Sequence, residues 1–249
     1  MHATTIDDVI HQLTAIVERS RETTSRQGYF AALYRRVTIA VKEGIAAGRF
    51  QDGPRMERLD VIFANRYLEA YAQYQEGRAC SQSWRVAFHQ SSRWRPIILQ
   101  HLLLGMNAHI NLDLGIAAAQ TVPGSALPGL ERDFKEINMV LAEMTDSVKA
   151  GLNRVSPLLG WADRVGNRAD DAIVNFSMKN ARDAAWAFAR KLAPLDEGAQ
   201  AAAIAARDQE VARFARLISN PGLFGDSITF AIRLRESGDA SKVIAALTA

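Results

Sequence analysis

The stretch 95–121, RPIILQHLLLGMNAHINLDLGIAAAQT, constrains the fold more than any other part of the chain. Its apolar content fits one long buried helix, yet it carries Gln100, His101, Asn107, His109, Asn111 and Asp113. A polar group buried without a partner costs several kcal/mol. A helix with six of them needs partners, a ligand or a site.

A helical wheel at about 100° per residue separates these groups. With His101 at zero, Gly105 falls near +40°, His109 near +80° and Asp113 near +120°. Gln100, Asn107 and Asn111 cluster on the other side, and Leu102, Leu103, Met106, Ile110 and Leu114 form an apolar face. His109 and Asp113 are thus an i, i+4 pair, and Gly105 leaves room between the two histidines. Two imidazoles and a carboxylate around a gap suit a divalent metal such as zinc or iron, with His101, His109 and Asp113 as ligands. They equally suit acid/base catalysis by the same three, with Asp113 orienting His109. A structural reading stands beside both, in which the histidines satisfy neighbours and the asparagines bridge helices. The two histidine Cα atoms lie about 12 Å apart on an ideal helix, so joint coordination needs a second helix to help.

The rest of the chain reads as helices as well. Apolar residues recur at helical spacing in 4–21, 28–50 and 56–76, with Gly48, the Gln51-Asp52-Gly53-Pro54 turn and Gly77 as stops. A short helix over 81–90 precedes the central one, and 122–128 is a linker. Further helices are expected over 129–155, 158–165, 167–192, 196–218, 223–236 and 240–247. No stretch alternates with period two between hairpin turns, so strands are not expected. The expected fold is a single all-α domain over 1–249, a multi-helix bundle around the buried helix at about 95–121.

Other polar residues sit in apolar settings. Asp60, Asn65 and Arg66 lie on the third helix, where they can line a second wall of a pocket, with Asp60 supplying a carboxylate; ion pairing is the plainer role. Asp133, with Glu136 and Asn138, precedes an apolar run, and it also reads as a first-turn charge favoured by the helix dipole. Asp170-Asp171 resembles the start of the aspartate-rich diphosphate site of helical terpene cyclases, although the further carboxylate is missing. The single cysteine, Cys80, excludes an intrachain disulfide and a CxxC metal site. Net charge is +3 with acidic and basic residues interleaved, which does not favour a nucleic-acid partner. Asp7 and Asp8 do not fit a signal peptide, and His101 and Asp113 interrupt the one apolar run, so a cytoplasmic protein without a membrane span is expected. Phosphate-loop, dinucleotide and nucleophile-elbow motifs are missing.

Three phrases, RLDVIFANRYLEAY, SQSWRVAF and LQHLLLGMNAHINLDLG, together resemble an uncharacterised bacterial family, over Tyr29 to about Leu192. The resemblance implies a helical domain and carries no activity or residue roles. The residues themselves favour a small-molecule enzyme, with metal-dependent hydrolysis or proton transfer at His101, His109 and Asp113. Asp60, Asn65, Arg66, Gly105, Asn107 and Asn111 would surround the ligand. The alternative is a non-catalytic helical module that binds an apolar ligand or a protein; a terpene-cyclase-like enzyme is a lesser one.

Overall fold

The structure, a computed structural model, describes residues 2–158 and 178–248, without the side chains of Leu223 and Phe224. The described residues are helices and their connections, with no strand among them. In order these are α1 (Ile6–Glu22), α2 (Gly28–Ala46), α3 (Gly53–Gln75), α4 (Gln82–Ser91) and α5 (Ile98–Met106). A π-helical segment (Asn107–Leu114) and α6 (Gly115–Thr121) continue α5. A 3₁₀ segment (Gly124–Leu130) leads to α7 (Glu131–Val155), followed by α8 (Met178–Leu192), α9 (Glu197–Ser219), α10 (Gly222–Arg233) and α11 (Ala240–Thr248).

Local chemistry sets most starts and stops. Thr5 caps α1 through Asp8, whose carboxylate returns to the Thr5 N–H. Asp52, Ser81 and Asp196 accept from the first turns of α3, α4 and α9, and Pro54 occupies the first turn of α3, where its missing N–H costs nothing. Gly48 and Gly77 take positive φ just past α2 and α3, a conformation that ends a helix cheaply.

The central helix has no polar cap of its own and borrows one. The Ile98 N–H donates to the Glu236 carboxylate at 3.1 and 3.0 Å, and Ser156 donates to the same carboxylate at 2.7 Å. The first turn of a buried helix is thereby closed by a residue far along the chain.

α2, α3, α4, α8 and α9 pack around the α5–π–α6 rod. Leu104, Ala108, Ala117 and Ala118 have no exposed surface, and Leu102, Leu112 and Ile116 are almost as deep. By length and hydropathy Ile98–Thr121 would reach across a bilayer, but 89% of its most apolar window is buried by the other helices. One core gathers α1, α2, α3, α4 and α11; a second gathers α3, the π segment, α6, α7 and α8; Met106 packs against both. Two glycines allow close approach: a Cβ at Gly105 would stand 2.5 Å from the Phe30 ring, and one at Gly115 would stand 2.7 Å from the Ala185 carbonyl.

Among the described residues the boundaries follow the sequence reading closely, with two departures: the expected linker over 122–128 is largely the 3₁₀ segment, and the other lies in the central helix. Residues 107–114 form a π-helix, in which i→i+5 bonds widen each turn. The angle per residue falls below 100°, so the wheel drawn for a plain α-helix drifts through the stretch that holds His109, Asn111 and Asp113.

Candidate functional site

Most polar groups of the central helix are tied to protein partners. Asp113 is 1% exposed; one carboxylate oxygen accepts from Arg66 Nε at 2.8 Å and the other from Trp84 Nε1 at 2.7 Å. Burial raises its pKa, while the Arg66 charge and the two donated bonds oppose that rise. Asn107 donates to the Val211 carbonyl at 3.0 Å and accepts from Asn111 at 2.9 Å. Arg207 Nε donates to the Asn111 carbonyl at 2.9 Å. Gln100 accepts from the Ile97 N–H and donates to the Ile218 carbonyl. On α3, Asn65 pairs with the Ala3 N–H and carbonyl and anchors the N-terminal segment.

Several expected roles therefore change. Asp113 does not orient His109, because Arg66 and Trp84 occupy its carboxylate. Arg66 and Asn107 join helices to one another, Asn65 holds the N-terminal segment and Asn111 bonds Asn107 on its own helix; none of the four lines the large cavity. Gly105 is no gap, since Phe30 fills the space where a side chain would go. Asp133 does lie in the first turn of α7, and its carboxylate accepts from the Gln51 and Asp52 N–H groups and from Arg55, and so locks the α2–α3 turn to α7.

His101 and His109 face different surroundings. His101 meets the Tyr29 ring edge at 5.8 Å, with the Pro96 carbonyl nearby, and burial pushes its pKa down to about 3. His109 is enclosed by Phe30, Tyr34, Phe63, Tyr67 and Trp84. His101, His109 and Asp113 do not come together as ligands, and no trio of His, Cys, Asp or Glu gathers at metal-binding geometry among the described residues.

What remains is a cavity of about 540 Å³ between the central helix, α2, α3, α7 and α8. Its wall is largely apolar, with Leu33, Leu59, Phe63, Met106, Ile110 and Leu141. Tyr34 of α2, Asp60 of α3 and His109 of the π segment are buried polar side chains of that wall, as is Arg182 of α8. The His109 ring stacks on Phe63 (centroids 3.5 Å apart, planes 11° from parallel) and meets Tyr34 at 4.2 Å. Neither ring nitrogen of His109, nor the Tyr34 hydroxyl, nor Asp60 Oδ2 has a hydrogen-bond partner. Tyr67 packs against the same cluster and its hydroxyl is likewise unpartnered, but it does not line the cavity.

Burial governs the protonation of this trio. It pushes Asp60 up to about 7, with the nearby Glu57 adding to the effect. It pushes His109 well down, with the Arg66 charge adding to it, so the ring is neutral. It pushes Tyr34 well up, so the phenol keeps its proton. A carboxyl poised near neutrality, a neutral imidazole and a phenol donor beside an apolar space can accept, donate and move protons.

The model of a family of unknown function, DUF5995, matches residues 6–221. The chain belongs to this family. No curated protein and no solved structure matches it. The family match spans the central helix, Tyr34, Asp60 and the described part of α8, so the cavity is built within it.

The sequence reading missed Tyr34, Phe63 and Arg182. Phe63 lies three residues after Asp60, which places both on one helix face. Arg182 was also legible: it interrupts the apolar row Met178, Ala185, Ala189 and Leu192 on α8. Tyr34 carries no such sign, since a tyrosine on an apolar face reads as core. Of the short helix expected over 158–165 all but Leu158, and the Asp170-Asp171 pair, lie outside the described residues. Cys80 is half-buried, and burial pushes its thiol up, away from nucleophilic reactivity.

Proposed function

We propose that the protein is a small-molecule enzyme that takes an apolar substrate into this cavity and moves a proton there. The observation that carries the reading is the set of unpartnered polar atoms on Tyr34, Asp60 and His109, beside the apolar part of the cavity wall. Buried polar atoms normally find partners, and a concave apolar space of about 300–1,000 Å³ with a few convergent polar groups is the usual form of a ligand site. The cavity volume of about 540 Å³ falls inside that range.

Asp60 is assigned the role of general base, acting on a substrate C–H or on a water molecule. Its pKa of about 7 makes the carboxylate available near neutral pH and keeps it basic enough to be useful. Tyr34, protonated, donates a hydrogen bond to an oxygen that gains negative charge. Neutral His109, held flat against Phe63, accepts or donates a bond that orients the substrate. Hydrolysis and enolisation both fit these roles.

The test pairs turnover with binding. Wild type and Asp60→Asn are given a panel of p-nitrophenyl acyl esters and, in deuterated water, enolisable aliphatic ketones. The expected result is turnover of one class that rises with pH through about 7. Asp60→Asn should lose roughly 10²–10⁴-fold in rate while retaining affinity. Binding without turnover in either class would favour the second reading, a non-catalytic carrier of an apolar ligand. That reading draws support from the fact that no carboxylate orients His109, as an efficient His base requires.

A further inference from the structure

Arg182 of α8 also lines the cavity and is 5% exposed. Its Nε donates to Asn138 Oδ1 at 2.6 Å, one terminal nitrogen donates to the Phe134 carbonyl at 2.5 Å, and the guanidinium lies 4.7 Å from the Phe134 ring centroid. These contacts position the group without neutralising it. Among the described residues Arg182 makes no ion pair, the charge of the neighbouring Asp183 acting on it only from beyond contact, and its other terminal nitrogen makes no hydrogen bond among them. A buried cation without a contacting anion is costly unless something supplies one.

Two further cations line the same cavity. Lys149 of α7 and Lys179 of α8 are solvent-exposed, and neither makes an ion pair among the described residues. The one acidic residue among the described lining is Asp60. Apolar walls, three cations and a lone buried carboxyl together specify the ligand. We infer that the cavity holds a single-chain amphipathic anion, its charged head at Arg182, Lys149 and Lys179 and its apolar body along the α2, α3 and central-helix wall.

This inference rests on the reading of the cavity as a small-molecule site and narrows its substrate class. A fatty carboxylate is the simplest member of the class. The anion fills the empty valence of the Arg182 guanidinium with a charge-assisted bond, and the lysines draw the head group in from solvent.

The test is calorimetric titration of the full chain with dodecanoate, dodecanol and dodecyltrimethylammonium, each below its micelle concentration. The three share a tail and differ in charge. Dodecanoate should bind at least about tenfold more tightly than dodecanol, and the cation more weakly still. Lys149→Gln and Lys179→Gln, on exposed positions, should each weaken dodecanoate about two- to fivefold and leave dodecanol unchanged. Arg182→Gln should weaken dodecanoate more than either; if that variant misfolds, the two lysine variants still decide. Added salt should weaken dodecanoate alone. Equal affinity for dodecanoate and dodecanol would overturn the anionic head while leaving the apolar cavity standing. No binding of any of the three would overturn the cavity reading itself.

Discussion

The two sides of the π segment make the most instructive comparison in the molecule. On one side Asp113 and Asn107 are as deeply set as any core residue and are engaged from α3, α4 or α9, and the half-buried Asn111 bonds Asn107 through its side chain. On the other, His109 is just as deep, shares a wall with Asp60 and Tyr34, and makes no hydrogen bond through either ring nitrogen. The residue types are alike and the burial is alike. The difference is whether another helix or a cavity faces them. Paired polar groups fix how helices register against one another, whereas unpaired ones beside a cavity are free for a ligand.

The largest expected effect breaks the paired side. Asp113→Leu leaves Arg66 without its carboxylate and the Trp84 indole N–H without an acceptor. Removing one member of a buried charged network costs about 3–5 kcal/mol, so the urea midpoint should fall steeply. A loss under about 1 kcal/mol would mean that the network contributes little.

The unpaired side should respond in the opposite direction. Asp60 has a folded pKa of about 7 against an ordinary 3.8, so the folded state holds a proton that the unfolded chain has already released. Its penalty is absent below about pH 4, grows between the two values and is complete above about 7. Wild type should therefore lose stability relative to Asp60→Asn across that window, by up to about 4 kcal/mol. Urea unfolding of both proteins at pH 4, 5.5, 7 and 8 reads this directly, and parallel curves would show that Asp60 has a partner.

A smaller effect separates packing from pocket. Gly105→Leu must push the Phe30 ring aside, and overpacking of this kind costs about 1–3 kcal/mol. Thermal unfolding should register it. Asn107→Ala, which gives up the bond to the Val211 carbonyl, should cost about 1–2 kcal/mol. Asn107 lies off the cavity wall, so its variant should keep ligand affinity in the folded fraction, whereas Phe30 lines the cavity and Gly105→Leu should also weaken binding.

The contrast also explains what the sequence could reveal. Helix boundaries were legible because caps and stops such as Thr5, Asp52, Gly48 and Gly77 act locally, and because apolar periodicity marks the buried face. That the central helix was buried and carried polar groups requiring an explanation was legible for the same reason. Which of them were structural was not. Arg66 and Trp84 reach Asp113 from two other helices, and spacing within one helix carries no information about such partners. The π segment shifted the wheel at the residues where it mattered, and nothing in Asn107–Leu114 marks a π turn by composition. Asp60 drew notice as an acid among core residues; Tyr34 did not, since its role depends on the space beside it.

The most direct test follows both sides of the π segment at once. An NMR titration with dodecanoate would track the Asp60 carboxyl carbon and the His109 ring nitrogens against the side-chain amides of Asn107 and Asn111. The account predicts saturable shifts at Asp60 and His109, with the two amides unmoved. Shifts confined to the asparagines, or an Asp60 and His109 indifferent to a ligand that binds, would contradict it.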